Sequence, residues 1–273
     1  MNNKILVFSD VDGTLYGDNF IVKHQTIKHI HQLSEKYNVE LIIATGNPPF
    51  SRHQKLADDL KVRYLITSNG STIFDNVEKK YLFKKTFSLE QQKQVIAAAK
   101  NFNLQLNFWN HQDYFSLNHK EEFIKSWIYS MEDTSKVLLN VDQPQEEVVK
   151  MELFGEKTDI DQAYKFLENS KLQIVRMREK HLEITQQDVS KGSAISWFIT
   201  NIILNSVDNI MVIGDSPNDW SMFETTKYSY AMANANKETK LKAKYHTSAH
   251  DQNGVGEAIV DFLYRSRNIK PSK

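Results

Sequence analysis

Ile5-Leu6-Val7-Phe8-Ser9-Asp10-Val11-Asp12-Gly13-Thr14-Leu15 is the stretch on which the reading of this chain turns. Four consecutive apolar residues, then Ser-Asp and Asp-Gly, describe a strand buried on both faces that runs directly into a turn. Two carboxylates therefore sit at a strand's carboxyl end, where open α/β sheets bind their ligands. Asp-Gly is also turn chemistry in its own right, so this stretch alone leaves turn and active site equally open.

Outward from it, the pattern repeats. Thr26 to Lys36 carries a helical stripe at Ile27, Ile30 and Leu33, and Val39 to Ala44 is a second buried strand ending at Thr45-Gly46. Pro48-Pro49 suits a turn into a helix of about a dozen residues. Tyr64 to Thr67 is a third strand, followed by Ser68-Asn69-Gly70, and Thr72 to Phe74 with Tyr81 to Phe83 forms a hairpin. Strand and helix alternating at this spacing predict a right-handed parallel sheet. From Lys85 the texture changes. A capping box at Ser88 to Gln91 opens a helix, and Leu104 to Trp109 and Tyr114 to Leu117 alternate as exposed strands do. A helix over Lys120 to Met131 comes next. Val149 to Phe154, with Lys150 and Glu152 outward, a helix from Asp159 to Asn169, and strands at Gln173 to Met177 and His181 to Thr185 complete the section. This reads as an antiparallel sheet with helices on one face, an inserted α+β unit. The α/β pattern resumes at Asp188-Val189-Ser190-Lys191-Gly192. A buried strand at Asn209 to Ile213 then ends in Gly214-Asp215-Ser216-Pro217-Asn218-Asp219. The expected division is 1–84 with 189–273 as an α/β core and 85–188 as the insertion.

Composition narrows the function classes. The 273 residues are 40% hydrophobic and 25% charged, ordinary for a globular chain with a sizeable core. Lys plus Arg and Asp plus Glu both number 34, so no overall basic footprint points to nucleic acid. With no cysteine, disulfides, thiolate nucleophiles and Cys-ligated zinc are excluded together, which fits the cytoplasm. No apolar run suggests a membrane span or signal peptide, and no feature predicts a protein partner.

Parallel strands bring Asp10, Asp12, Thr45, Asp215 and Asp219 to one edge of the sheet, with Lys191 opening a nearby helix. Carboxylates crowded there repel by about 4 kcal/mol per pair at 4 Å with an effective dielectric near 20, so they need a cation. An all-oxygen set with open positions suits Mg²⁺. Lys-Gly is a poor helix start on structural grounds, because the charge opposes the dipole. As an anion receptor it makes sense: the ammonium, the helix amides and the Thr45 hydroxyl together match a phosphate. A carboxylate is the available nucleophile, and an aspartyl-phosphate is established carboxylate chemistry.

These motifs, in this order, resemble those of the haloacid-dehalogenase-like phosphatases: Asp10-Val11-Asp12-Gly13-Thr14, Thr45-Gly46, Lys191-Gly192 and Gly214 to Asp219. The long insertion resembles the Cof-type subfamily IIB branch with a C2 cap. The resemblance implies a Rossmann-like core with that cap, and a Mg²⁺-dependent hydrolysis of small phosphorylated metabolites such as sugar phosphates. It makes Asp10 the nucleophile and a metal ligand, and Asp12 the general acid/base with its carbonyl on the metal. Thr45, Gly46 and Lys191 would hold phosphate, Asp215 and Asp219 would bind metal, and Asn218 would contact phosphate and steady Lys191. Asn47 stands where the branch usually has Arg, and Ala233 where it usually has Gly. In the insertion, Trp109, His111, Tyr114, Arg176, Arg178 and His181 could face a substrate, although packing explains such aromatic residues equally well. A phosphomutase and a non-catalytic phosphate sensor are the alternatives.

Overall fold

The computed structural model describes residues 4–17, 20–118, 138–203 and 209–266. In chain order its strands are β1 (Ile5–Ser9), β2 (Val39–Ala44), β3 (Tyr64–Thr67), β4 (Thr72–Asp75), β5 (Lys80–Lys84), β6 (Gln105–Trp109) and β7 (Tyr114–Leu117). They continue as β8 (Leu138–Asn140), β9 (Lys150–Phe154), β10 (Leu172–Arg178), β11 (His181–Gln186), β12 (Ile210–Gly214), β13 (Ser229–Ala231) and β14 (Tyr245–His246). The α-helices are α1 (His24–Tyr37), α2 (Ser51–Asp59), α3 (Leu89–Asn101), α4 (Lys157–Leu167), α5 (Lys191–Phe198), α6 (Trp220–Phe223), α7 (Lys237–Lys242) and α8 (Gly254–Arg265). The helix expected over Lys120 to Met131 lies outside the described residues.

Two sheets result. The first runs β14-β13-β12-β1-β2-β3-β4-β5. β1 lies at its centre, parallel to β2 and β12, with Ser9 opposite both Ile43 and Ile213. Every residue of β1 is buried, because alternate side chains serve two separate apolar layers. Ile5 and Val7 pack with Ile30, Leu33, Leu56, Ile259 and Phe262 of α1, α2 and α8, whereas Leu6 and Phe8 pack with Ile195 and Phe198 of α5. The predicted hairpin is β4 and β5, antiparallel at the edge.

The second sheet, β10-β11-β9-β6-β7-β8, is built wholly from the chain between β5 and α5. Its pairs are antiparallel except β7 with β8, which run parallel, so the all-antiparallel expectation is corrected there. Leu106, Phe108, Met151, Leu153, Leu182 and Ile184 form one face, packed with residues of α3 and α4 such as Val95 and Ile160. The capping box of α3 is present, Ser88 accepting from the Gln91 N–H. The opposite face differs from expectation. β6 and β7 are buried on both faces rather than exposed, and Lys150 and Glu152 are buried rather than outward. What covers them is the loop edge of the first sheet, where the Lys150 ammonium donates to the Gly46 carbonyl. Among the described residues, no helix is long and apolar enough to cross a membrane.

Candidate active site

Asp10 follows β1 directly, and its backbone N–H donates to the Ile213 carbonyl at 2.9 Å, extending the parallel pairing one residue past the strand. Its side chain is buried and accepts from the Lys191 ammonium at 2.6 Å. Lys191 is the first residue of α5, set in place by a Ser190 capping box in which the serine oxygen accepts from the Ser193 N–H. The same ammonium donates to Asp219 at 2.7 Å. The other Asp219 oxygen accepts from the N–H groups of Asp215 and Ser216, both at 2.9 Å, which ties the loop after β12 into one unit. The Thr14 hydroxyl donates to Asp215 at 3.3 Å. Gly13 is required for this approach: its φ is +82°, and a Cβ there would lie 2.4 Å from an Asp215 carboxylate oxygen.

Asp12 accepts from the Asn47 side-chain amide at 2.8 Å. Asn47 thus holds Asp12 at the position where the resemblance expects an arginine. Thr45 continues β2 toward β3 through its N–H to the Ile66 carbonyl at 2.9 Å, and its hydroxyl accepts from the Asn47 N–H at 3.1 Å.

Asp10, Asp215 and Asp219 offer carboxylate oxygens that all lie within 4.8 Å of one another. Burial raises Asp10 well above the usual carboxylate range; Lys191 opposes this, and the neighbouring acids Asp219, Asp215 and Asp12 add to it. Burial, and then Asp219, push Asp215 up to about 7. Burial likewise lifts Asp12 to about 6, against Lys191 and Arg52. Lys191 stays charged, because the pull of Asp10 and Asp219 outweighs its burial. A single ammonium does not neutralise the cluster, so the donor set fits a hard divalent cation bound through oxygen.

The remaining expected residues divide. Asn218 does not steady Lys191; Asp219 does. Instead, the Asn218 amide donates to Glu183 at 3.3 Å and to Asn69 at 3.2 Å, and its carbonyl accepts from the Ser216 hydroxyl at 2.8 Å. Of the residues expected to face a substrate, Trp109 is buried and donates to the Ser68 hydroxyl at 3.0 Å, and Arg178 lines a cavity of about 600 Å³ between the two sheets. That cavity is also lined by Lys191, Asn218, Asn69, Glu183 and Trp220, and its size suits a small organic ligand. Arg176 lines the same cavity and also pairs with Asp161 at 2.8 Å, while His111, Tyr114 and His181 serve packing or pairing. His111 pairs with Glu147 at 2.9 Å, Tyr114 meets Phe50 edge-on, and His181 stacks on Phe154.

Sequence reasoning did not single out Lys150, Glu183 and Asn69. Lys150 is fully buried and lies 2.7 Å from Glu183 and 2.9 Å from Glu152. Burial alone would raise Glu183, but Lys150, His181 and the hydrogen bonds hold it down at about 2. The available signal was charge at alternating positions of otherwise apolar strands: Lys150 and Glu152 in one, Glu183 in another.

The chain matches the family described as haloacid dehalogenase-like hydrolase over residues 7–259, nearly its whole length, and it belongs to that family of enzymes. Its curated relatives include two 5-amino-6-(5-phospho-D-ribitylamino)uracil phosphatases of Bacillus subtilis. YcsE is 26% identical over 93% of this chain and 94% of its own, and YwtE is 27% identical over 93% and 96%. Among solved structures, the subclass IIB sugar phosphatase BT4131 superposes with a TM-score of 0.83 at 21% identity, covering 97% of this chain and all of that one. A haloacid dehalogenase-like hydrolase from Bacteroides thetaiotaomicron gives 0.80 at 20% identity, covering 94% and 99%.

Proposed function

We propose that this enzyme hydrolyses small phosphomonoesters with Mg²⁺, through a phosphorylated Asp10. The observation that carries the reading is the Asp10 carboxylate at the end of β1, held by Lys191 and grouped with Asp215 and Asp219. In the first step an Asp10 oxygen attacks phosphorus in line, the bond from phosphorus to the leaving oxygen breaks, and the Asp12 carboxyl gives that oxygen its proton. A proton lifted toward neutrality by burial is suited to that transfer. In the second step Asp12, now a carboxylate, takes a proton from water, whose oxygen attacks phosphorus and frees Asp10 and inorganic phosphate. Lys191, the Thr45 hydroxyl and the Gly46 amide hold the phosphoryl oxygens, and Asn218 joins them by giving up its amide hydrogen bond to Asn69. Asp10, the Asp12 carbonyl, Asp215 and Asp219 would hold Mg²⁺, which when bound supplies neutralisation of the charge developing on phosphate.

Residues 1–84 and 189–273 act in this reading as the catalytic core, and 85–188 as a cap that excludes water and selects the leaving group. The names of the relatives point the substrate search to phosphorylated sugars and ribityl compounds. The enzyme would work in the cytoplasm, consistent with a chain without cysteine. Phosphate release from p-nitrophenyl phosphate and a panel of sugar and polyol phosphates, with Mg²⁺ or EDTA, tests the reading. Wild-type turnover abolished by EDTA and by Asp10→Asn is expected. Turnover that survives Asp10→Asn would refute a covalent Asp10.

A further inference from the structure

Lys150 stands in β9 with no exposed surface, and each of its three N–H donors is used. One goes to the Gly46 carbonyl at 3.0 Å, one to Glu183 at 2.7 Å and one to Glu152 at 2.9 Å. The second Glu183 oxygen accepts from the Asn69 amide at 2.6 Å and from the Asn218 amide at 3.3 Å. One ion pair on the inserted sheet therefore grips three loops of the core: 45–47 through Gly46, 68–70 through Asn69, and 215–219 through Asn218. A carboxylate can only accept, so Glu183 compels both carboxamides to present their N–H groups to it. The Ser216 hydroxyl occupies the Asn218 carbonyl at 2.8 Å, which fixes that side chain from both ends. Gly46 permits the approach, since a Cβ there would lie 3.1 Å from the Lys150 nitrogen and 3.0 Å from the Asn69 carbonyl oxygen.

Stability does not account for the arrangement. A buried ion pair gives back little beyond the cost of removing its charges from water, and apolar residues of similar volume in its place often stabilise equally well. The pair instead lies where two phosphate-holding loops meet the second sheet. We infer that Lys150 and Glu183 are positioning residues, set on the inserted sheet to bring the Gly46 and Asn218 loops into their phosphate-binding geometry when that sheet is seated on the core. This rests on the phosphate-site assignment made above. It makes phosphate affinity depend on residues that lie outside every core motif.

The test measures binding of inorganic phosphate to the Mg²⁺-loaded full chain by calorimetry, together with kcat and KM on p-nitrophenyl phosphate and on a sugar phosphate. The variants are Lys150→Met, Glu183→Gln, Glu183→Ala and the double variant of Lys150→Met with Glu183→Gln. In the double variant no lone charge of the pair remains, and adding Glu152→Gln to it removes the other carboxylate that Lys150 holds, so folding does not depend on an unpaired buried ion. Phosphate affinity is expected to fall at least tenfold in each single variant. The double variant should be no weaker than the weaker single one, because the two residues act as a unit. The conservative Glu183→Gln, which still accepts from a carboxamide, should lose less than Glu183→Ala. Phosphate affinity within twofold of wild type, with only the melting temperature lowered, would overturn the inference in favour of a structural role. Losses confined to the sugar phosphate would overturn it in favour of a leaving-group contact. A wild type that binds phosphate yet hydrolyses nothing would defeat the proposed function while leaving the binding comparison intact.

Discussion

Asp12 and Asn47 form a unit in which a carboxamide orients a carboxyl group at 2.8 Å, and the hydrogen bond sets the direction from which a proton can leave. If Asp12 is the acid, its value depends on how badly the leaving oxygen needs a proton. Asp12→Asn should lower kcat on alkyl and sugar phosphates by about 10²–10⁴-fold, the usual range for a general acid. p-Nitrophenolate departs without a proton, so the loss in the first step on that substrate should be much smaller. Burst-phase measurements of that step on both substrates decide the matter, and equal losses would remove Asp12 from the acid role. Gly13 offers a second test at this scale. Alanine there faces a φ of +82° and an Asp215 oxygen 2.4 Å from its Cβ, so one added methyl displaces the carboxylate proposed to bind metal without touching its charge. Gly13→Ala is expected to weaken Mg²⁺ at least tenfold in a titration followed by calorimetry, while the far-UV spectrum stays that of wild type. Unchanged Mg²⁺ affinity would take Asp215 out of the metal site.

At the level of elements, the parallel strands were legible for a physical reason. β1, β2 and β12 are buried on both faces, so they appear as continuous apolar runs, and their carboxyl ends carry the residues that resemblance could assign. The second sheet was legible only in part. Alternation in β9 correctly separates Lys150 and Glu152 from Met151 and Leu153, but a period of two tells which side chains share a face and not what lies over it. The covering loops come from the other sheet, and no local pattern encodes that meeting. Short elements such as β14 and α7 carried too little periodicity to be read. α2 hides a further feature. His53 is buried, and burial, followed by the nearby Arg52, pulls its imidazole down from 6.5 to about 3. The folded chain thus refuses a proton that the unfolded chain accepts. Its contribution is constant above pH 6.5 and is lost as pH falls from there toward 3, with a slope of up to about 1.4 kcal/mol per pH unit. Urea unfolding of wild type and His53→Gln between pH 7.5 and about 4.5 should show the two stability curves converging toward acid. Parallel curves would mean that His53 titrates normally in the fold.

Across the whole molecule, the two sheets meet along a seam that is polar in one part and aromatic in another. The polar part is the grip of Lys150 and Glu183 on the loops at Gly46, Asn69 and Asn218. The aromatic part is Phe50, at the start of α2, packed with Trp109, Tyr114 and Val149. The Trp109 indole N–H meanwhile reaches across to the Ser68 hydroxyl at 3.0 Å. Each sheet has its own apolar core, so weakening the seam should release one body from the other before either unfolds. Phe50→Ala tests this. Buried deep in a core, such a change costs about 3–5 kcal/mol; at a seam that can part, much of that cost should instead appear as opening. With the other three tryptophans replaced by phenylalanine, Trp109 reports the seam alone. The expected result for Phe50→Ala is red-shifted emission and stronger acrylamide quenching than in its parent, with KM raised more than kcat is lowered. Added Mg²⁺ and phosphate should restore part of the protection, since ligands that hold the loops favour the seated arrangement by mass action. If emission is unchanged and the melting temperature falls instead, the two sheets behave as one cooperative body, and closure of the insertion over the core plays no part in how this enzyme gathers its phosphate.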